Sequence, residues 1–148
     1  YDYICCPIGT GGTIAGITLS NQNKSKVLGF PALKGADFLK KEVTNFVNEV
    51  VNENETTNDL MQSLSIISEY HFGGYAKIKE ELINFVRNFY QTHQFKWDLI
   101  YNGKMAYGVY DMIEKDYFPK ESKILLIHTG GLQGINGFEE RNKRVIYE

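Results

Sequence analysis

The 148-residue chain carries 43% hydrophobic and 23% charged residues, enough apolar side chain to bury one core of ordinary domain size. Sixteen basic residues stand against eighteen acidic ones, with no basic stripe, so the composition argues against a nucleic-acid or anionic-membrane surface. Apolar runs far short of the roughly 20 residues that span a bilayer, only three prolines and no low-complexity tract point to one globular unit over 1–148, expected in the cytosol.

In chain order, Tyr3 to Ile8 is a short apolar run that stops at glycines, as a buried parallel strand does. The chain reads as entering directly in mid-fold. Alternation puts Cys5 and Cys6 on opposite faces of that strand, so they are expected to be buried and reduced. Gly9 to Thr13 reads as a turn, Ile14 to Leu19 as a short helix, and Lys26 to Phe30 as a second strand closed by Pro31. Phe38, Leu39, Val43, Phe46, Val47, Val50 and Val51 recur at helical spacing, giving about four turns. Asn52 to Asp59 reads as a polar loop and Ser63 to Tyr70 as a strand running into His71-Phe-Gly-Gly-Tyr75. Ile78 to His93 has a helical face, Asp98 to Tyr101 is a short apolar piece, and Met105 to Phe118 is again helical. Lys123 to His128 is the clearest strand. It ends in Thr129-Gly-Gly131, after which the chain reads as irregular and charged. Strand and helix alternate, so the fold class is α/β, a parallel sheet covered by helices, with its site on the loops at the carboxyl ends of the strands.

Gly9, Thr10, Gly11, Gly12 and Thr13 combine backbone amides that can approach an anion, two hydroxyls and a helix start, which together suit a small phosphate ester. The dinucleotide fingerprint fails at Ile14, and a P-loop ending is missing. The competing reading is that these glycines only permit tight strand-to-helix packing. Tyr70 to Tyr75 offers an aromatic wall in which Tyr75 is a candidate proton-transfer group and His71 reads as structural. Tyr101-Asn-Gly-Lys104 presents an aromatic face, an amide and a cation, or, more blandly, a core edge, a helix cap and a solvated lysine. His128 and Thr129 either touch a ligand or close a turn. The histidines and cysteines lack metal-ligand spacing, so no metal site is expected.

Four segments in order, GTGGTIAG (9–16), EYHFGGYAK (69–77), YNGKMAYG (101–108) and IHTGGLQG (127–134), resemble the C-terminal half of the D-cysteine desulfhydrase and 1-aminocyclopropane-1-carboxylate deaminase family. The resemblance implies the large-domain part of a tryptophan synthase β-like, fold type II enzyme using pyridoxal 5'-phosphate, with the Schiff-base lysine in an N-terminal half that this chain lacks. It further implies that Gly9 to Thr13 cradle the cofactor phosphate and that Tyr101 lies against the ring. Tyr75 then faces the substrate, and Asn102 and Thr129 stand near the ring nitrogen. The deaminase pattern has glutamate where Asn102 stands and leucine where Thr129 stands; the desulfhydrase pattern has serine or threonine at the former, so that Asn102 matches neither, and threonine at the latter. A neutral amide leaves the ring a weaker electron sink than a carboxylate would, adequate where thiolate departs. The expected activity of the full-length parent is therefore D-cysteine desulfhydrase, releasing pyruvate, ammonia and sulfide, with the deaminase reaction to 2-oxobutyrate and ammonia as the alternative. Other readings are β-replacement on a small amino acid, or a catalytically inert fragment or binding module. The resemblance implies a homodimer. A half-length chain is expected to be inactive alone and to expose apolar sheet surface that its other half would cover.

Overall fold

Alternation along Tyr3–Ile8 (β1) places Tyr3 and Cys5 in one apolar core and Cys6 and Ile8 in another, so a single strand divides the molecule into two packed layers. The computed structural model describes residues 1–51 and 54–147. After β1 come α1 (Gly12–Asn21), β2 (Lys26–Pro31), a single 3-10 turn (Ala36–Phe38), α2 (Leu39–Val51), α3 (Asn54–Met61) and β3 (Leu64–Ile66). Then follow α4 (Glu80–His93), α5 (Asn102–Glu114), β4 (Ile124–Leu126) and α6 (Gly134–Asn142). The four strands form one parallel sheet in the order β3-β2-β1-β4, with Cys5 opposite Leu28 on one side and Leu126 on the other.

The two faces are covered by different helices. Ile14, Ala15, Val43 and Val47 from α1 and α2 close over Cys6, Ile8 and Val27. Leu82, Ile83 and Val86 from α4, Met105, Ala106 and Val109 from α5, and Ile135 from α6 close over Cys5, Leu28 and Phe30. Gly29 permits the first contact: a Cβ there would fall 2.4 Å from Ile8 Cδ1 and 2.6 Å from Ile14 Cδ1. Gly108 does the same for α5, where a Cβ would meet the Tyr70 ring at 2.8 Å and Phe30 at 2.9 Å.

The structure departs from the sequence expectations where pairing or burial is partial. Residues 54–59 of the expected polar loop belong to α3, while 52–53 lie outside the described residues. Among the described side chains of that helix only Thr57, Leu60 and Met61 are withdrawn from water, too few to impose a visible apolar period. The strand expected over 63–70 is paired only at Leu64–Ile66, because β3 is an edge strand and the chain lifts off after Ile67 donates to the Gly29 carbonyl at 2.8 Å. At the other edge, the strand expected over 123–128 is paired at Ile124–Leu126 alone and is half-buried. The apolar piece 98–101 is a turn and not a strand. The stretch expected to be irregular contains α6, held by Ile135 and Phe138 one turn apart. Beyond it, Tyr147 anchors the tail, its hydroxyl donating to the Trp97 carbonyl at 2.5 Å.

Beside β4 a groove of about 760 Å³ is lined by Ile4, Ile17, Leu125 and Ile127, apolar side chains that no described helix covers. Among the described residues no helix is long and apolar enough to cross a membrane.

Both cysteines are free and fully buried. Burial pushes each thiol from its ordinary 9.0 up to about 12, with the neighbouring Cys6 adding to the shift at Cys5. An unfolded thiol ionises above pH 9 while the folded one keeps its proton. The stabilisation is therefore complete below pH 9 and is lost as pH rises toward 12, at up to about 1.4 kcal/mol per pH unit per thiol. Lys104, described below, works in the opposite direction, so the informative quantity is a difference of slopes. Urea unfolding measured at about pH 8 and about pH 10 is expected to show a shallower alkaline loss in the Cys5→Ala/Cys6→Ala double variant than in the parent chain.

Candidate functional site

β1 ends at Ile8 and the chain turns through Gly9 to Gly11 straight into α1. Gly11 makes the turn possible with φ at +100°, and a Cβ there would meet Val43 Cγ2 at 3.1 Å. No side chain caps α1 and its first turn holds no acid, so the amides at its start face outward without an internal anion. They border a crevice of about 410 Å³ at the carboxyl ends of β1 and β4, lined by Gly9 to Ile14 on one side and by Tyr101, Thr129, Gly130, Gly131 and Gln133 on the other. No lining residue is acidic. A wider hollow of about 720 Å³ opens at the amino ends of the strands, but its lining is solvated loop, including Lys24, Lys26, Lys120 and Glu121. In a parallel sheet the carboxyl end is where strand ends and helix starts converge on a ligand.

The far wall of the crevice is organised from behind by Asp98, which is 3% exposed. Its Oδ1 accepts the amides of Ile100 at 2.9 Å and Tyr101 at 2.8 Å, and its Oδ2 accepts the amide and the side-chain Nδ2 of Asn102. This carboxylate does for α5 what a capping residue does elsewhere, satisfying amides at the helix start from a turn away. Gly103 lets the turn close: its amide donates to the Asp98 carbonyl at 2.8 Å, and a Cβ would lie 2.4 Å from that oxygen.

Asn102 carries the order across to the next loop. Its second Nδ2 hydrogen goes to the Gly130 carbonyl at 2.7 Å, and its Oδ1 accepts the Thr129 amide at 2.9 Å and the Thr129 hydroxyl at 3.3 Å. Every hydrogen-bonding position of the amide is thus taken by protein. Asn102 is not among the residues that line the crevice; it is a buried strut that places Thr129, and Thr129 is on the lining.

Tyr101 stands on the crevice with its ring edge against Gly9, where a Cβ would sit 3.4 Å from it. Tyr75 packs on Tyr101 edge to face, ring centroids 6.0 Å apart at 61°. Burial, then a hydrogen bond with Tyr75, raise the Tyr101 hydroxyl above the ordinary phenol range, so it stays protonated at neutral pH. Tyr75 itself is 54% exposed and lies at the mouth.

Lys104 is the residue that sequence reasoning missed. Read as a solvated lysine, it is 2% exposed, and its Nζ donates to the carbonyls of His71 at 2.9 Å and Gly74 at 2.8 Å. Burial lowers its ammonium to about 8, against an opposing pull from Asp98. The available signal was position: three residues beyond Tyr101, a helical side chain falls on the turn beneath it. Two of the three histidines, His71 and His128, also close turns. His71 Nδ1 accepts the Gly73 amide at 2.8 Å, and His128 Nδ1 accepts the Gly130 amide at 3.1 Å while its ring stacks on Trp97.

An uncapped helix start and an acid-free crevice at the carboxyl edge of the parallel sheet of an α/β protein are an arrangement that suits a small anionic ligand. No family model matches the chain. A 1-aminocyclopropane-1-carboxylate deaminase of a Bradyrhizobium species is 28% identical over 93% of this chain and 42% of its own length. A putative deaminase of the same name from Pyrococcus abyssi is 31% identical over 94% of this chain and 42% of its own. The bifunctional D-cysteine desulfhydrase/1-aminocyclopropane-1-carboxylate deaminase, mitochondrial, of Arabidopsis thaliana is 34% identical over 91% of this chain and 33% of its own. The crystal structure of an ACC deaminase homologue superposes with a TM-score of 0.76 at 25% identity, covering 95% of this chain and 43% of that one. The chain belongs to this deaminase and desulfhydrase family, and it spans less than half the length of the relatives it matches.

Asn102→Ala is expected to cost about 2 to 3 kcal/mol in urea denaturation, since it leaves buried groups of Asp98, Thr129 and Gly130 short of partners. Asn102→Asp is expected to cost more, because it sets a second carboxylate against Asp98.

Proposed function

We propose that this chain is the cofactor-binding C-terminal portion of a pyridoxal 5'-phosphate-dependent lyase acting on a small amino acid, with D-cysteine as its substrate. The supporting observation is the shared crevice of about 410 Å³, on which the glycine loop, Tyr101 and Thr129 converge although they lie far apart in sequence. The residues fit the cofactor. Gly9, Thr10, Gly11, Gly12 and Thr13 offer an uncapped helix start and two hydroxyls for a phosphate, Tyr101 offers a flat face for the ring, and Thr129, fixed by Asn102, would be the polar partner for the ring nitrogen. Pyridoxal phosphate supplies, when bound, a conjugated ring that takes up the electron pair left when the α-carbon loses its proton.

The chain's own residues set how strong that sink is. The crevice has no acidic lining residue, and the carboxylate behind it, Asp98, is occupied by four donors. Thr129 can hydrogen-bond the ring nitrogen but cannot keep it protonated as a carboxylate would. That favours a substrate with a good leaving group on the β-carbon. In the reaction the α-C–H and β-C–S bonds break, hydrosulfide leaves, and water replaces the amino group to give pyruvate and ammonia. Tyr101, protonated at neutral pH, and Tyr75 beside it are the hydroxyls placed to hold or pass a proton at the substrate. The lysine that binds the cofactor covalently is assigned to the N-terminal portion of a protein of the relatives' length. The uncovered groove of Ile4, Ile17, Leu125 and Ile127 offers that portion an apolar seat. The chain without it is inactive.

A second reading, 1-aminocyclopropane-1-carboxylate deaminase, is favoured by the names its relatives carry. The full-length protein carrying this chain, supplied with pyridoxal phosphate, is expected to release pyruvate and sulfide from D-cysteine. Release of 2-oxobutyrate from the cyclopropane substrate without sulfide release from D-cysteine would overturn the substrate assignment.

A further inference from the structure

We propose that Lys104 is a positioning residue: its buried ammonium pins the 71–76 turn onto the start of α5 and thereby holds Tyr75 against Tyr101. The proposal rests on the reading of Tyr75 and Tyr101 as the proton-handling pair, but the clamp itself is a property of this chain alone.

Three observations carry it. The Nζ donates to two carbonyls of one turn, those of His71 and Gly74, so a single cation grips the turn at both ends of the glycine pair. The turn is held in an unfavourable backbone form. Phe72 and Ala76 sit in the left-handed region at φ of +55° and +53°, where residues with a Cβ are disfavoured, and Gly73 and Gly74 follow at +103° and +123°. Such a run persists only where the surroundings over-determine it. The turn's own bonds are few: the Gly74 amide donates to the His71 carbonyl at 3.0 Å, the Lys77 amide donates to the Gly74 carbonyl at 3.1 Å, and His71 Nδ1 accepts the Gly73 amide. The same two carbonyls that close the turn are the ones Lys104 engages.

The other end of the clamp is equally fixed. Lys104 lies in the first turn of α5, whose start is organised by Asp98, and Tyr101 and Asn102 come from that start. One rigid piece therefore presents Tyr101 to the crevice and, through Lys104, grips the turn from which Tyr75 projects. A solvated lysine at this position would leave Tyr75 on an exposed turn with a strained backbone.

Hydrogen exchange on the 148-residue chain tests this without cofactor or substrate. In Lys104→Met the amides of Gly74 and Lys77 are expected to exchange at least tenfold faster, with loss of the nuclear Overhauser contact between the Tyr75 and Tyr101 rings, while amides in the middle of α5 keep their rates. Adding Ala76→Gly, which relieves backbone strain at an exposed position, is expected to recover part of the protection. Equal acceleration throughout α5 would make Lys104 a packing residue and overturn the proposal, as would unchanged exchange at Gly74 and Lys77. Should the methionine variant not fold, the parent chain decides: with lysines labelled with nitrogen-15, the Lys104 ammonium is expected to exchange its protons far more slowly than the surface lysines. Exchange at the surface rate would overturn the clamp. Failure of pyridoxal phosphate to bind the full-length protein would instead count against the proposed function and leave these readouts unaffected.

Discussion

A buried carboxylate with four donors on its two oxygens sets the geometry of the site. Asp98 could be withdrawn from water only because the amides of Ile100, Tyr101 and Asn102 and the Asn102 side chain replace the solvent it gives up. In doing so it fixes the first turn of α5 and brings Asn102 to where its amide spans the gap to Thr129 and Gly130. The loop after β4, which makes only a three-residue strand, is ordered from α5 rather than from the sheet. An acid in the core usually carries an energetic penalty; here it joins two chain segments that sequence separates.

The sheet explains why the site lies where it does. β1, like β2, is buried on both faces, and at its carboxyl end a loop from the middle of the sheet meets the start of α1. Gly29 and Gly108 allow helices to approach closely on opposite faces, and Gly11 turns the chain sharply enough for α1 to point its start at the crevice. Both edge strands are short and half-paired. Order is concentrated around β1, β2 and α5, and the edge beside β4 keeps an apolar groove open to a further segment.

Chemically, the site contrasts a neutral rim with charged supports. The crevice lining carries glycines, hydroxyls and one phenol, whereas Asp98 and Lys104 stand behind it, each fully engaged with backbone or amide groups. Neither charge is free to react. They work through what they hold, Asp98 through Tyr101 and Thr129 and Lys104 through the turn bearing Tyr75. Because the acid is spent on architecture, no residue lining this wall is charged, and the proposed leaving-group chemistry rests on that neutrality.

Much of this was legible along the chain. The short apolar run from Tyr3 to Ile8, the helical spacing from Phe38 to Val51 and from Ile78 to His93, and the glycines at strand ends determined an α/β parallel sheet with loops as its site, because runs and periods of that length record which faces are buried. The four family-like segments marked Gly9 to Thr13, Tyr75, Tyr101 and Thr129, which the folded chain brings to one crevice and its mouth. What sequence could not determine were features that depend on a partner distant in the chain. Residues 54–61 and 134–142 are helical with few buried side chains, Thr57 and Met61 among those described in the first and Ile135 in the second, a signal too sparse to read. Asn102 reads as a ligand until Asp98, Thr129 and Gly130 are seen to fill its amide, and Lys104 reads as a surface cation until the carbonyls of His71 and Gly74 close over it. A hydrogen-bonding side chain shows in sequence only that it needs partners; whether water or protein supplies them is decided when the chain has folded.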